Sequence, residues 1–260
     1  MSKKQKEQLE SLIIHTKNEL SSQEPIHPDI WFWHNTVNLV IGKRNSGKTY
    51  STLREILKLF VYDPRNHFRY GRVIYMSDKV SDDTVNMFVF PQDANFKWVH
   101  DVEENAEAVI AALSSRVRDK LHPESIVIFD DAMFLFDKKH REIQKKLFEN
   151  RQAHITYFIL LQDPQGINTA MKQNLDFLRV YGGLSKDKYQ RLMRQIPSTT
   201  DSITSIDLDY NLYKDLSNHD SVILNFINGT FTITTRDGDR PSNTQSGTEL
   251  NKDSQINKRQ

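Results

Sequence analysis

The eight residues Gly42-Lys43-Arg44-Asn45-Ser46-Gly47-Lys48-Thr49 constrain this chain more than any other stretch. They fit G-x-x-x-x-G-K-[ST], a pattern that gains its meaning from a strand before it and a helix after it. Both flanks are present: Val37-Asn38-Leu39-Val40-Ile41 reads as a buried strand, and Leu53, Ile56, Leu57 and Phe60 fall at helical spacing over 49–60. In such a turn the glycines let the backbone aim N–H groups at a phosphate, and the helix N-terminus adds partial positive charge. Lys48 is then suited to reach the β- and γ-phosphates of ATP, and the Thr49 hydroxyl to ligate Mg²⁺. Gly42, Asn45, Ser46, Gly47 and Tyr50 complete the expected nucleotide-binding set.

Beyond this turn the pattern continues to alternate. Residues 72–76 read as a second strand and 103–113 as a helix, and Ser125-Ile126-Val127-Ile128-Phe129 is an apolar run of the kind found in a strand covered on both faces. The alternation predicts an α/β fold with a mostly parallel sheet flanked by helices. Two carboxylates end the apolar run. Asp130 is expected to hold Mg²⁺ through water, and Asp131, pointing the other way off the strand end, to polarise the attacking water. A basic helix is expected over 138–150, a strand over 154–161 ending at Gln162, a last core strand over 175–180 and a helix over 186–195. The additional strand after the acids brings a polar side chain, Gln162, to a position suited to sensing hydrolysis or orienting water.

The chain divides into an N-terminal helix and linker (1–34), an ATPase core (35–196), a C-terminal extension with a β-hairpin around Asn228-Gly229 (197–236), and a polar tail expected to be disordered (237–260). Lys and Arg number 35 against 34 Asp and Glu, so the whole chain lacks the charge of a DNA-coating protein, and any nucleic-acid contact must be local. There are no cysteines, which excludes disulfides and thiolate metal sites. The most apolar stretch, Ile155 to Leu161, is far too short to span a bilayer, so the chain reads as soluble with no membrane partner. Its histidines show no zinc-ligand spacing.

Residues 42–49, 126–131 and Asn150-Arg151-Gln152-Ala153-His154-Ile155, the last leading into the strand that ends at Gln162, together resemble the FtsK/HerA-type motors. Within that superfamily the likeness is to the DNA-packaging ATPases of poxviruses, giant viruses and related double-stranded DNA viruses. It spans roughly Val37 to Gly183, and Asn174-Leu175-Asp176-Phe177-Leu178 resembles the segment that closes the family's core. The resemblance implies a RecA-like additional-strand P-loop NTPase that assembles as a pentameric or hexameric ring. It further implies ATP-driven translocation of double-stranded DNA into a viral capsid or through its portal vertex, in the host cytoplasm, at a virus assembly site or within the virion. Arg151 matches the family's arginine finger, which one subunit extends to its neighbour's ATP. Catalysis is thereby assigned to Lys48, Asp131, Gln162 and Arg151, and metal binding to Thr49 and Asp130. The chain departs from the family in Asp131, where many members have Glu, and in Asp163-Pro164, where a longer basic or aromatic turn often stands. A non-packaging translocase or helicase of the same superfamily, and an ATP-switched assembly protein, are the alternatives.

Two basic clusters could track a DNA backbone without reading sequence: Lys138-Lys139-His140-Arg141 with Lys145 and Lys146, and Lys186, Lys188, Arg191 and Arg194. Glu142 and Glu149 offer the first cluster local partners, favouring an ordinary solvated helix face equally. Trp31, Phe32 and Trp33 are expected in the core rather than on a base.

Overall fold

Every residue of Val37–Ile41 (β1), Glu124–Asp130 (β4) and Ile155–Leu161 (β5) is buried, as only strands covered on both faces can be. They form the centre of an eight-stranded sheet of order β3-β2-β4-β5-β1-β6-β7-β8. The other strands are Tyr70–Met76 (β2), Lys97–Val99 (β3), Phe177–Tyr181 (β6), Ser221–Asn225 (β7) and Thr230–Thr234 (β8). The first six run parallel, while β7 and β8 pair antiparallel with β6 and with each other. The computed structural model describes residues 26–62, 70–118, 124–136, 140–164, 167–196 and 210–235. The helix expected before residue 21, the pair Lys138-Lys139 and the tail from 237 lie outside these residues.

The helices are Lys48–Tyr62 (α1), Asp83–Asn86 (α2), Val102–Arg118 (α3), Arg141–Phe148 (α4), Thr169–Lys172 (α5), Lys186–Met193 (α6) and Tyr210–Lys214 (α7). The period-2 alternation of the strands sorts the core into two layers. Val40, Ile126, Ile128, Phe158 and Leu160 meet Leu53, Ile56, Leu59 and Phe60 of α1 on one face. Leu39, Ile41, Val127, Phe129, Tyr157 and Ile159 meet Val102, Ala106 and Ile110 of α3, Ile143 and Leu147 of α4, and Tyr189 and Leu192 of α6 on the other. The aromatic cluster belongs to the first layer: Phe32 is fully buried, and Trp31 stands edge-on to Phe32, Phe158 and Phe177.

Strand β1 matches its expected limits, and the neighbours differ by a few residues at their ends. The last core strand begins at Phe177 rather than 175, since the Asp176 carboxylate turns to accept the Val37 N–H at 2.8 Å. The hairpin set apart in the sequence as an appendage is continuous with the main sheet through β7 and β6. Leu39, with no exposed surface, lies in register between Ile159 and Leu178. Leu39→Ala is expected to cost about 2–5 kcal/mol, measured by denaturant unfolding, because the surrounding strands cannot collapse into the space.

Candidate functional site

Four strand ends converge at the carboxyl edge of the sheet: β1, which runs into the glycine loop; β4, which ends in the two aspartates; β5, which lies between them; and β2 beyond β4. Crevices at such an edge are where open α/β sheets bind their ligands. The loop leaves β1 with Gly42 N–H bonded to the Leu161 carbonyl at 3.1 Å. A Cβ on Gly42 would stand 2.5 Å from Ser46 Oγ and 2.8 Å from Tyr181 Cβ, so only glycine fits the turn. Gly47 has φ of 92° and Asn45 of 62°, left-handed conformations that glycine and asparagine adopt most readily.

Lys43, Arg44 and Asn45 are exposed, whereas Ser46 and Lys48 are buried. The Lys48 ammonium donates to the Gly42 carbonyl at 2.7 Å and the Lys43 carbonyl at 2.9 Å, folding the side chain back over its own loop. Burial holds its pKa below that of a free lysine, against the opposing pull of Asp131 and Asp130. Ser46 Oγ is buried and has no hydrogen-bond partner among the described residues. Tyr50, in the first turn of α1, is exposed and packs its ring against Phe88 at 5.4 Å.

Asp130 and Asp131, adjacent in sequence, sit in different surroundings. Asp130 is buried, and its Oδ2 accepts from Thr49 Oγ1 at 2.8 Å, from the Tyr75 hydroxyl at 2.5 Å and from Lys79 Nζ at 2.9 Å. Burial and the Asp130 carboxylate together push the Tyr75 phenol well above its ordinary range, so it acts here as a fixed donor. Asp131 is exposed, has φ of 59° and accepts from Gln162 Nε2 at 2.9 Å. The two carboxylates thus diverge, one into a buried cluster of donors and one into solvent beside an amide. Lys79 also bonds Asp82 at 3.2 Å and approaches Asp131 to 4.0 Å. Burial disfavours its charge, but Asp130 and Asp82 outweigh that and raise its pKa. A cavity of about 240 Å³ opens here, lined by Ser77, Asp78, Lys79, Asp130, Asp131 and Phe134.

Of the residues assigned from the sequence, the structure therefore gathers Gly42 to Thr49, Asp130, Asp131 and Gln162 at one edge. Arg151 is not among them. It precedes β5, whose length of roughly 20 Å at about 3.3 Å per residue separates it from the loop. There its guanidinium bonds Asp176 at 3.2 Å, with half of the side chain exposed. Sequence reasoning missed Tyr75 and Lys79, which reach Asp130 because β2 is the neighbour of β4, with Met76 in register with Phe129.

Chemically, the loop and the start of α1 form an anion cradle of glycine-permitted turns, a helix N-terminus and a buried lysine. Thr49 and Asp130 add a hydroxyl and carboxylate pair of the hard-oxygen type that magnesium takes.

Among solved structures, the DNA-packaging ATPase B204 from Sulfolobus turreted icosahedral virus superposes with a TM-score of 0.60 at 15% identity, covering 77% of this chain and 97% of that one. The genome packaging NTPase B204 from Sulfolobus turreted icosahedral virus 2, in complex with AMPPCP, gives 0.57 at 15% identity, with coverage of 77% and 97%. The cytoplasmic domain of the Thermomonospora curvata type VII secretion ATPase EccC gives 0.51 at 14% identity, over 77% of this chain and 23% of that one. At these identities the likeness is one of fold. No protein-family model matches the chain, and no curated protein matches it in sequence.

Proposed function

We propose that this protein is an ATPase that works as a homo-oligomeric ring and drives double-stranded DNA into a viral capsid. The observation that carries the reading is the place of β5. It is inserted between the strand that bears the glycine loop and the strand that bears the aspartates, and it sets Gln162 at 2.9 Å from Asp131. Kinase-like use of the same loop needs no amide at that point, whereas a motor gains a group that distinguishes ATP from its products. The shared fold with B204, which is described as a packaging ATPase and is seen with AMPPCP, agrees with this.

In this reading the backbone of Gly42, Asn45, Ser46 and Gly47 receives the phosphates, with Lys48 leaving its loop carbonyls to bind them. The buried Ser46 hydroxyl, without a partner among the described residues, can join them. Thr49 and Asp130 are the residues that would hold Mg²⁺, which when bound neutralises charge on the β- and γ-phosphates. Asp131 accepts the proton of the attacking water as the bond from the γ-phosphorus to the ADP oxygen breaks, and Gln162 fixes the carboxylate by donating to Oδ2.

For DNA, the exposed cations Arg141 and Lys145 on α4, Lys186 and Arg191 on α6 and Arg194 at its C-cap are the candidates. Both helices pack on the same face of the sheet. Lys146 is already paired with Glu149 at 2.9 Å and Lys188 with Asp163, so those two contribute less.

Duplex DNA is expected to raise ATP turnover several-fold in the assembled ring, with the stimulation falling steeply as salt rises, as backbone contacts require. Turnover that is measured with and without duplex DNA and is unchanged would favour an ATP-switched assembly protein instead. A particle that stays monomer-sized with ATP and DNA present would remove the ring.

A further inference from the structure

Lys79 forms its contacts at the point where the proposed site must accept a divalent cation. We infer that Lys79 is a resident counter-cation of Asp130 that Mg²⁺ must displace, which makes it a positioning residue that sets the metal requirement of the site. This rests on the nucleotide reading given above and adds a role for a residue outside both motifs.

The argument starts from a single oxygen. Asp130 Oδ2 takes three donors: Thr49 Oγ1 at 2.8 Å, Tyr75 OH at 2.5 Å and Lys79 Nζ at 2.9 Å. A carboxylate oxygen has about two strong acceptor directions, so Oδ2 is oversubscribed before any metal-bound water reaches it. Thr49 is the hydroxyl that would ligate the metal, so its bond to Oδ2 belongs to the loaded site as well. Tyr75 is fully buried, so its hydroxyl cannot turn away to solvent. Lys79 is the donor able to leave: its side chain is 34% exposed, against 1% for Asp130.

It also has somewhere to go. Asp82 Oδ2 stands 3.2 Å from Nζ and Asp131 Oδ2 4.0 Å, so the ammonium can release Asp130 while keeping a carboxylate partner. The cavity of about 240 Å³ that these side chains share with Ser77, Asp78 and Phe134 gives the movement room. The same pairing compensates the carboxylate charge at a depth where an unpaired one is strongly disfavoured. Lys48, also within electrostatic reach, is bonded to the loop carbonyls and does not substitute for Lys79.

The test is ADP binding to the full-length protein, followed by calorimetry while free Mg²⁺ is varied from micromolar to millimolar. Lys79 places one positive charge 2.9 Å from the oxygen that the metal side needs, so removing it should lower the Mg²⁺ needed for half-maximal ADP binding about tenfold or more. Lys79→Met is expected to show that drop and Lys79→Arg to stay near the wild type. Asp82→Asn provides an independent arm that survives if Lys79→Met does not fold. Asparagine keeps the cap that Asp82 Oδ1 gives to Thr84 N–H at 2.9 Å but removes the carboxylate to which Lys79 retreats, so the Mg²⁺ requirement should rise.

An unchanged or higher requirement in folded Lys79→Met, with wild-type protein that binds ADP normally, overturns this inference alone. A lower requirement in Asp82→Asn does the same. Wild-type protein that binds no ADP at any Mg²⁺ concentration overturns the nucleotide reading and this one with it.

Discussion

Asp131→Asn is expected to lower ATP turnover by about 10²- to 10⁴-fold while leaving nucleotide binding nearly intact, the range typical for loss of a positioned general base. The substitution is a clean one for a backbone reason. Asp131 has φ of 59°, and asparagine tolerates the left-handed region better than most residues, so the strand end keeps its turn. The Gln162 amide can still donate to the new carbonyl oxygen across the same 2.9 Å. Only the proton acceptor is lost. Asp130→Asn should behave differently, because Asp130 is buried among Thr49, Tyr75 and Lys79, where the proposed Mg²⁺ would be held. Its loss should raise the Mg²⁺ concentration needed for ADP binding together with any fall in turnover. Turnover and Mg²⁺-dependent binding measured for both variants decide the assignment. If Asp130→Asn alone loses turnover at saturating Mg²⁺, the roles are reversed.

The opposed directions of the two acids were legible in the sequence, whereas the Tyr75 and Lys79 donors to Asp130 were not. An apolar run from Ile126 to Phe129 predicts a doubly covered strand, and acids ending it predict a site, because burial on both faces and a polar end are local properties. The same holds for β1 and for the turn at Asn228-Gly229. Properties that depend on strand order are not local. Lys79 stands in an ordinary polar segment after β2, and its bond to Asp130 spans 51 positions of chain through the pairing of β2 with β4. No spacing rule signals it, although knowing the strand order would have been enough: whatever follows Met76 must lie beside whatever follows Phe129. The seat of the hairpin is similar. Its turn is written in two residues, whereas its docking on β6 comes from Val222 and Leu224 joining the layer that already holds Leu178 and Val180.

Arg151 tests whether the site is completed by a second subunit. Arg151→Ala is expected to reduce turnover by about 10³-fold or more, as loss of an arginine finger does. The position makes a role in its own subunit's site untenable, since the full length of β5 lies between them. The remaining alternative is a structural role through Asp176. Arg151 is half-exposed although Asp176 is buried, so losing the bond is expected to cost about 1 kcal/mol, too little to unfold the chain. Asp176 also keeps its bond to the Val37 N–H when Arg151 is removed. Stability and catalysis can therefore be separated: melting should barely change while turnover collapses, and Arg151→Lys should restore the charge without the fork that guanidinium offers to phosphate. Mixing decides between trans action and any indirect effect. Lys48→Ala and Arg151→Ala subunits should each be inactive alone. In an equal mixture half of the sites keep Lys48 and half of their neighbours keep Arg151, so about a quarter of the interfaces should be intact and activity should return in that proportion. A ring verified to contain both variants and still inactive would argue against Arg151 reaching across, because in trans any mixed ring keeps at least one interface with both Lys48 and Arg151.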